Sequence, residues 1–293
     1  MCSERLNVDK PAILGIGAQK CASTWVYQVL SDHPQVFVST PKELDFFSCF
    51  YDRGFHWYER HFAAGLGSKV CGEISPSYFV DSEAPARAKA YNPDYKVIVA
   101  LRDPIERAYS NHLHDIRLEH LPLSNSGFEA GLENNPMYVD QGRYGTHLKR
   151  WLEYFPPEQI LVLLQEEVKL DPDGQAKRVY EFLGVDAGHT SEFSAQKANE
   201  SYLPKSKQQE KLFSQISGIM NKMGLEPLVE MIRSSKLFQW VKAGNRQDIR
   251  QLVAPMSETT RAKLTAEFEP EVLELARLLH RESLPWKIWS DLK

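Results

Sequence analysis

The sequence contains no apolar run that could cross a bilayer. Among its longest aliphatic stretches, Ile160–Leu164 falls far short of the about 20 residues that a membrane helix needs. No basic-then-apolar leader precedes the first predicted strand. These absences lead to the expectation of a cytoplasmic protein with no membrane partner, although a piece of a membrane-anchored enzyme would read the same way. A basic excess is missing too: 35 Lys and Arg stand against 39 Asp and Glu, a formal net charge of -4. Nucleic-acid affinity rests on cations that neutralise phosphates, so no nucleic-acid partner is expected. The four cysteines, Cys2, Cys21, Cys49 and Cys71, form no CxxC pair and have no zinc-finger spacing, which argues against a structural metal. Internal repeats and low-complexity tracts are also lacking. What remains is ordinary globular material: 293 residues, 42% hydrophobic and 25% charged, enough for one large domain with its own core.

The pattern along the chain predicts an α/β fold with a mainly parallel sheet and helices on both faces. Residues 12–18 read as a buried strand, 19–22 as a loop, and 23–31 as a helix with Val26, Val29 and Leu30 at helical spacing. His33-Pro34 stops that helix, and Val36–Val38 follows as a second strand. Residues 69–73, 96–101 and 159–164 predict three more strands. Asp103-Pro104-Ile105-Glu106 reads as a capping box opening a helix to about residue 120. Asp171-Pro172 starts a further helix that Gly184 ends. Beyond Ser191 the pattern turns helical: Leu212, Phe213, Ile216, Ile219, Met220 and Met223 form an apolar stripe read as core or lid, and 257–280 is another helix.

Three clusters have chemical content. The first is Gly15-Ile16-Gly17-Ala18-Gln19-Lys20-Cys21-Ala22-Ser23-Thr24, ahead of Trp25. A loop between a buried strand and a helix N-terminus offers main-chain N–H groups and the positive helix end to a phosphate; Lys20 adds a charge, and Ser23 and Thr24 add hydroxyls. The GK[ST] triplet of ATP and GTP hydrolases is missing, because Cys21 follows Lys20 and displaces the hydroxyl that would hold magnesium. The second is Arg102 at the carboxyl end of its strand, with Ser110 two helical turns beyond the Asp103 cap, so that both can reach one anion. The alternative is that Arg102 pairs with Asp103 or Glu106. The third is Lys42-Glu43-Leu44-Asp45-Phe46-Phe47, in which aromatic bulk would partly desolvate Glu43 and make it a general base; the alternative is a solvated charged turn.

Together these segments resemble the PAPS-dependent sulfotransferases, where PAPS is 3′-phosphoadenosine-5′-phosphosulfate, and in particular the branch with the heparan sulfate sulfotransferase domains and their bacterial relatives. The resemblance covers most of the chain. Residues 16–30 look like the 5′-phosphosulfate loop, 42–47 like the KExxFF segment, Gly72-Glu73-Ile74-Ser75-Pro76-Ser77-Tyr78-Phe79 like GExxPxYF, and 99–110 like the 3′-phosphate motif. Residues 144–156 and Glu181-Phe182-Leu183-Gly184 also follow the family pattern.

The resemblance implies a P-loop-like fold in a single sulfotransferase domain, 1–293, with an α/β nucleotide-binding core at 10–190 and a mainly helical completion or lid at 191–293. It implies that residues 20–25 (Lys20, Cys21, Ala22, Ser23, Thr24, Trp25) bind the phosphosulfate, that Arg102 and Ser110 bind the 3′-phosphate, and that Lys20 neutralises the bridging oxygen. Glu43 would take the acceptor's proton, and no metal would be needed. The acceptor is expected to be a carbohydrate or a small molecule, and the mildly acidic balance favours a small or neutral one. Ile74 stands where the heparan enzymes have a lysine, so any second cation must come from elsewhere, and the loop at 197–207, with Asn199, Ser201, Lys205 and Ser206, sits where relatives close over the nucleotide. Tyr144 and His147 are possible acceptor-pocket walls, and His112 and His114 are alternative bases. Two other readings compete: a P-loop kinase using ATP and magnesium, and a non-catalytic nucleotide- or glycan-binding module.

Overall fold

The computed structural model describes residues 10–122, 126–195, 202–206 and 244–286, together with Gln208, 215–218, Met220, 231–232, Ser235, Phe238 and Trp289. Of the expected apolar stripe, Leu212, Phe213, Ile219 and Met223 lie outside the described residues, as do Asn199 and Ser201 of the expected closing loop; Ile216 is 45% exposed.

The elements run in the order β1 (Ile13–Gly17), α1 (Ser23–Asp32), β2 (Val36–Val38), α2 (Gly54–Glu59), β3 (Val70–Ile74), α3 (Ala84–Tyr91), β4 (Lys96–Leu101), α4 (Pro104–Arg117), α5 (Phe128–Asn134), α6 (Met137–Asp140), α7 (Tyr144–Leu152), β5 (Ile160–Leu164), α8 (Gln165–Leu170), α9 (Pro172–Leu183), β6 (Tyr202–Pro204), β7 (Arg246–Asp248) and α10 (Glu258–Leu278). Strands β1 to β5 form one sheet in the order β2-β3-β1-β4-β5, and every neighbouring pair is parallel. Nearly every residue of β1, β4 and β5 is buried, as expected of strands covered on both faces. The core against α1 and α9 consists of Trp25, Val26, Val29, Leu30, Ile98, Leu163, Val179 and Tyr180.

The chain leaves β1 toward one side of the sheet and later crosses to β4 on the other, so β1 is the switch point beside which open α/β sheets bind ligands at the carboxyl ends of their strands. Local chemistry ends the elements where the sequence predicts. Asp171 caps α9 by accepting from Gly174 N–H at 3.0 Å, and Gly184 closes it in the left-handed conformation at φ 71°. Asp103 caps α4, accepting from the N–H groups of Ile105 at 2.9 Å and Glu106 at 3.1 Å. The reciprocal half of the expected capping box is not made. The N–H of Asp103 reaches Glu166 at 3.3 Å, because the Glu106 carboxylate is drawn instead to the guanidinium groups of Arg102 and Arg261.

Two compact units divide the chain: Met1–Asn111 with Leu132–Asn199 and Met256–Lys293, and His112–Gly131 with Glu200–Pro255. In the first, α10 packs on α7, where Thr146 N–H and Oγ1 donate to Glu271 and Arg143 pairs with Glu267. In the second, β6 and β7 form an antiparallel pair where the sequence predicts helices, with Lys205 N–H donating to Asn245 O at 2.7 Å. These strands are three residues each, too short for an alternating pattern to be read.

Candidate active site

Most candidate residues of the first unit follow the carboxyl ends of strands: residues 18–22 after β1, Lys42 and Glu43 beyond β2, Ser75 to Phe79 after β3, and Arg102 after β4, whereas Ser110 lies on α4 and Tyr144 and His147 on α7. Between β1 and α1 the backbone is left-handed at Lys20 (φ 68°) and at Ala22 (φ 69°), the N-cap of α1. Such reversals turn successive N–H groups toward one concavity, which suits an anion at the positive end of the helix. Gly17, at φ 134°, lets this loop lie against the segment after β3; a Cβ there would stand 2.8 Å from the carbonyl oxygen of Pro76.

The structure separates main-chain from side-chain contributions within residues 20–25. The Cys21 thiol is buried beside the Tyr144 hydroxyl at 3.5 Å, and burial pushes it up to about 11 despite the nearby guanidinium groups of Arg107 and Arg102. The Trp25 indole points into the core and donates to Ser194 O at 2.8 Å. The Cys21 N–H is also spent, donating to Ala18 O at 3.2 Å, so Cys21 shapes the loop, while Trp25 can address a ligand only through its N–H and Ser23 keeps a partly exposed side chain. Support for the loop comes from behind: Gln141 Nε2 donates to Gln19 Oε1 at 3.1 Å, and Gln141 Oε1 accepts from the fully buried Arg107 at 3.2 Å.

Lys42 brings the second segment to the first. Its ammonium donates to Ser23 Oγ at 3.5 Å and pairs with the Glu43 carboxylate. Of the two readings of this segment, desolvation of Glu43 is not found and the solvated charged turn is: the Glu43 side chain is 47% exposed, while Phe46 and Phe47 turn inward and anchor the turn on Tyr58 with ring centroids 4.6 and 5.2 Å away. Lys42 is a cation within 3.5 Å of Ser23, where Ile74 offers none. Ile74 is buried in the sheet opposite Gly15.

Arg102 is 12% exposed and leans on Glu106 at 3.7 Å; Ser110 lies one further turn along the same helical row, so the expected arginine-carboxylate alternative is present but loose. Tyr144 and His147 are buried, His147 holding Asp140 O at 2.8 Å. In the second unit His112 meets Ser126 O at 2.9 Å and His114 accepts from Arg117 at 2.9 Å, so packing and local bonds occupy all three histidines. Burial lowers the pKa of His112 and of His147.

The residue that the sequence gives no role is Glu73, at the end of β3. It is fully buried, and its two oxygens accept from Ser75 Oγ at 2.5 Å and Tyr78 Oη at 2.6 Å. Burial raises its carboxyl to about 7, although the hydroxyls of Ser75, Tyr78 and Tyr58 pull the other way. Asp103, buried at the cap of α4, is likewise raised to about 6.

Residues 10–246 match the sulfotransferase domain family, and the chain belongs to it. It is 36% identical over 183 residues to human heparan sulfate glucosamine 3-O-sulfotransferase 3B1, covering 60% of this chain and 46% of that protein. It is 28% identical over 299 residues to human bifunctional heparan sulfate N-deacetylase/N-sulfotransferase 3, covering 95% of this chain and 31% of that protein. The chain thus spans less than half the length of these curated relatives. The crystal structure of a sulfotransferase from Alicyclobacillus acidocaldarius is similar with a TM-score of 0.70 at 24% identity, covering 96% of this chain and 100% of that one, a likeness of fold.

Proposed function

We propose that this domain transfers a sulfuryl group from PAPS to a hydroxyl or amine of a carbohydrate or small-molecule acceptor. The observation that carries the reading is the Lys42 ammonium, which ties Ser23, at the start of α1, to Glu43, the candidate base. The residues fit a doubly phosphorylated nucleotide: an N–H concavity with Lys20 for one phosphate, and Arg102 with Ser110 for the other. When bound, PAPS supplies the sulfuryl group. Lys20 would place positive charge where the bridging oxygen becomes negative, Ser23, Thr24 and the N–H groups at the start of α1 would orient the phosphosulfate, and Glu43 would take the acceptor's proton once Lys42 is drawn elsewhere. A carbohydrate acceptor is supported by the relatives named for heparan sulfate.

The test is turnover. The protein is incubated with PAPS and a panel of desulfated glycosaminoglycans, oligosaccharides and small phenols and amines, and the products are read by mass spectrometry. A product heavier by one sulfuryl group, with release of adenosine 3′,5′-bisphosphate, is expected. Tight bisphosphate binding with no product on any acceptor would favour a non-catalytic nucleotide-binding module, and magnesium-dependent turnover of ATP would favour a kinase.

A further inference from the structure

The two hydroxyls nearest Glu73, those of Ser75 and Tyr78, each also accept a main-chain N–H from the segment that holds Glu43. Ser75 Oγ receives Asp45 N–H at 3.0 Å, and Tyr78 Oη receives Phe46 N–H at 2.7 Å. A hydroxyl has one proton. With that proton committed to Glu73, the oxygen is left as an acceptor, so the carboxylate fixes the direction of both relays. The supported segment needs fixing, because Glu43 and Asp45 lie at φ 67° and 49°, a region that residues other than glycine seldom occupy.

Resting on the sulfotransferase reading, we propose that Glu73 is a positioning residue for sulfuryl transfer: through Ser75 and Tyr78 it holds the main chain at Asp45 and Phe46 and so sets where Glu43 meets the acceptor. A buried carboxylate is costly to keep ionised, and an apolar side chain would fill the same place in the sheet without that cost. The groups facing Glu73 are Tyr58, Tyr78, Tyr95 and Asp45, while the adjacent strands β1 and β2 bring no titratable side chain. Burial raises all three phenols, which therefore keep their protons. Protonation of Glu73 in weak acid makes one of its oxygens a donor and reverses one relay.

The test uses Glu73→Gln in the full chain, since an amide offers one acceptor and one donor and can sustain one relay. Amide exchange at Asp45 and Phe46 in the ligand-free protein should accelerate by roughly tenfold, a readout independent of any turnover. The kcat should fall by roughly 10- to 100-fold while Kd for adenosine 3′,5′-bisphosphate stays within about twofold. In a Glu43→Gln background the same change should cost nothing further, because Glu73 acts through Glu43. Ser75→Ala and Tyr78→Phe each remove one relay and should reproduce part of both effects, which keeps the question open to measurement if Glu73→Gln does not fold. Unchanged exchange at residues 45 and 46, or an equal fractional loss of activity in the Glu43→Gln background, overturns the proposal. If the parent does not turn over PAPS, the sulfotransferase reading falls separately, and the exchange result still decides whether Glu73 anchors the segment.

Discussion

Replacing Arg102 by alanine separates recognition of a 3′-phosphate from recognition of the rest of a nucleotide. In the ligand-free protein the guanidinium has a loose carboxylate contact, Glu106 at 3.7 Å, and Glu106 is shared with Arg261 at 3.2 Å. An ion pair of that length contributes about 0 to 1 kcal/mol, so little is lost when Arg102 turns to a ligand. A charge-assisted bond to phosphate contributes about 1.5 to 3 kcal/mol, and an arginine can make two in parallel. Allowing for the lost Glu106 contact and for residual solvent, Arg102→Ala should cost about 2 to 4 kcal/mol, or roughly 30- to 1,000-fold in Kd for adenosine 3′,5′-bisphosphate. For 5′-AMP, which has no 3′-phosphate, the change should stay below about threefold. Glu106→Gln should act in the opposite direction, tightening the bisphosphate a few-fold, because it removes a carboxylate that competes for Arg102 and repels the phosphate. Isothermal calorimetry at fixed ionic strength measures all three. Equal losses for the bisphosphate and 5′-AMP, or a loss under threefold for the bisphosphate, would refute the assignment.

Three further outcomes are expected. Lys20→Ala should lower kcat by about 10²- to 10³-fold while weakening adenosine 3′,5′-bisphosphate far less, since the charge is needed most as the bridging oxygen becomes negative; single-turnover rates with PAPS check this, and an unchanged kcat would show a solvated loop lysine. Glu43→Gln should keep the fold and bisphosphate affinity but lose about 10²- to 10⁴-fold in kcat; full activity in this variant excludes Glu43 as the base. The third concerns stability: the folded carboxyl of Glu73 stands at about 7, above the ordinary 4.5, so the folded state keeps a proton that the unfolded chain has released. Its stabilising contribution is therefore full below pH 4.5 and lost as pH rises through 7, and urea unfolding should show the parent losing about 3 kcal/mol relative to Glu73→Gln between about pH 4.5 and 8. A pH-independent difference would show that Glu73 titrates alike in both states.

What could be read in the sequence was what local chemistry decides. The β4 strand comes out at Lys96–Leu101 because a β-branched run meets an Asp-Pro cap, and α9 at Pro172–Leu183 because Asp171 and Gly184 suit the two ends of a helix. The strand, loop and helix at 13–32 were legible for the same reason, since strand, small residues, lysine and hydroxyls are contiguous. Partner choice was not. Glu106 reads as the second half of a capping box until Arg261, 155 residues later, arrives beside it. The β6 and β7 strands, separated by the 41 residues from 205 to 245, pair with three residues each and no alternation to announce them.

The two readings of Glu43 show most clearly why adjacency in sequence is a poor guide to burial. Phe46 and Phe47 follow Glu43 closely, but the left-handed turns at Glu43 and Asp45 send the aromatic rings inward to Tyr58 and leave the carboxylate half exposed against Lys42. The carboxylate that the aromatic cluster does enclose is Glu73, from a different strand, held among Tyr58, Tyr78 and Tyr95. One glutamate therefore stands half exposed, and the other sits where burial makes its charge costly. Keeping both is physically reasonable only if the buried charge contributes something other than stability. The two relays from Glu73 to the N–H groups of Asp45 and Phe46 are the contribution we propose: an inward charge that fixes the backbone from which the outward carboxylate projects.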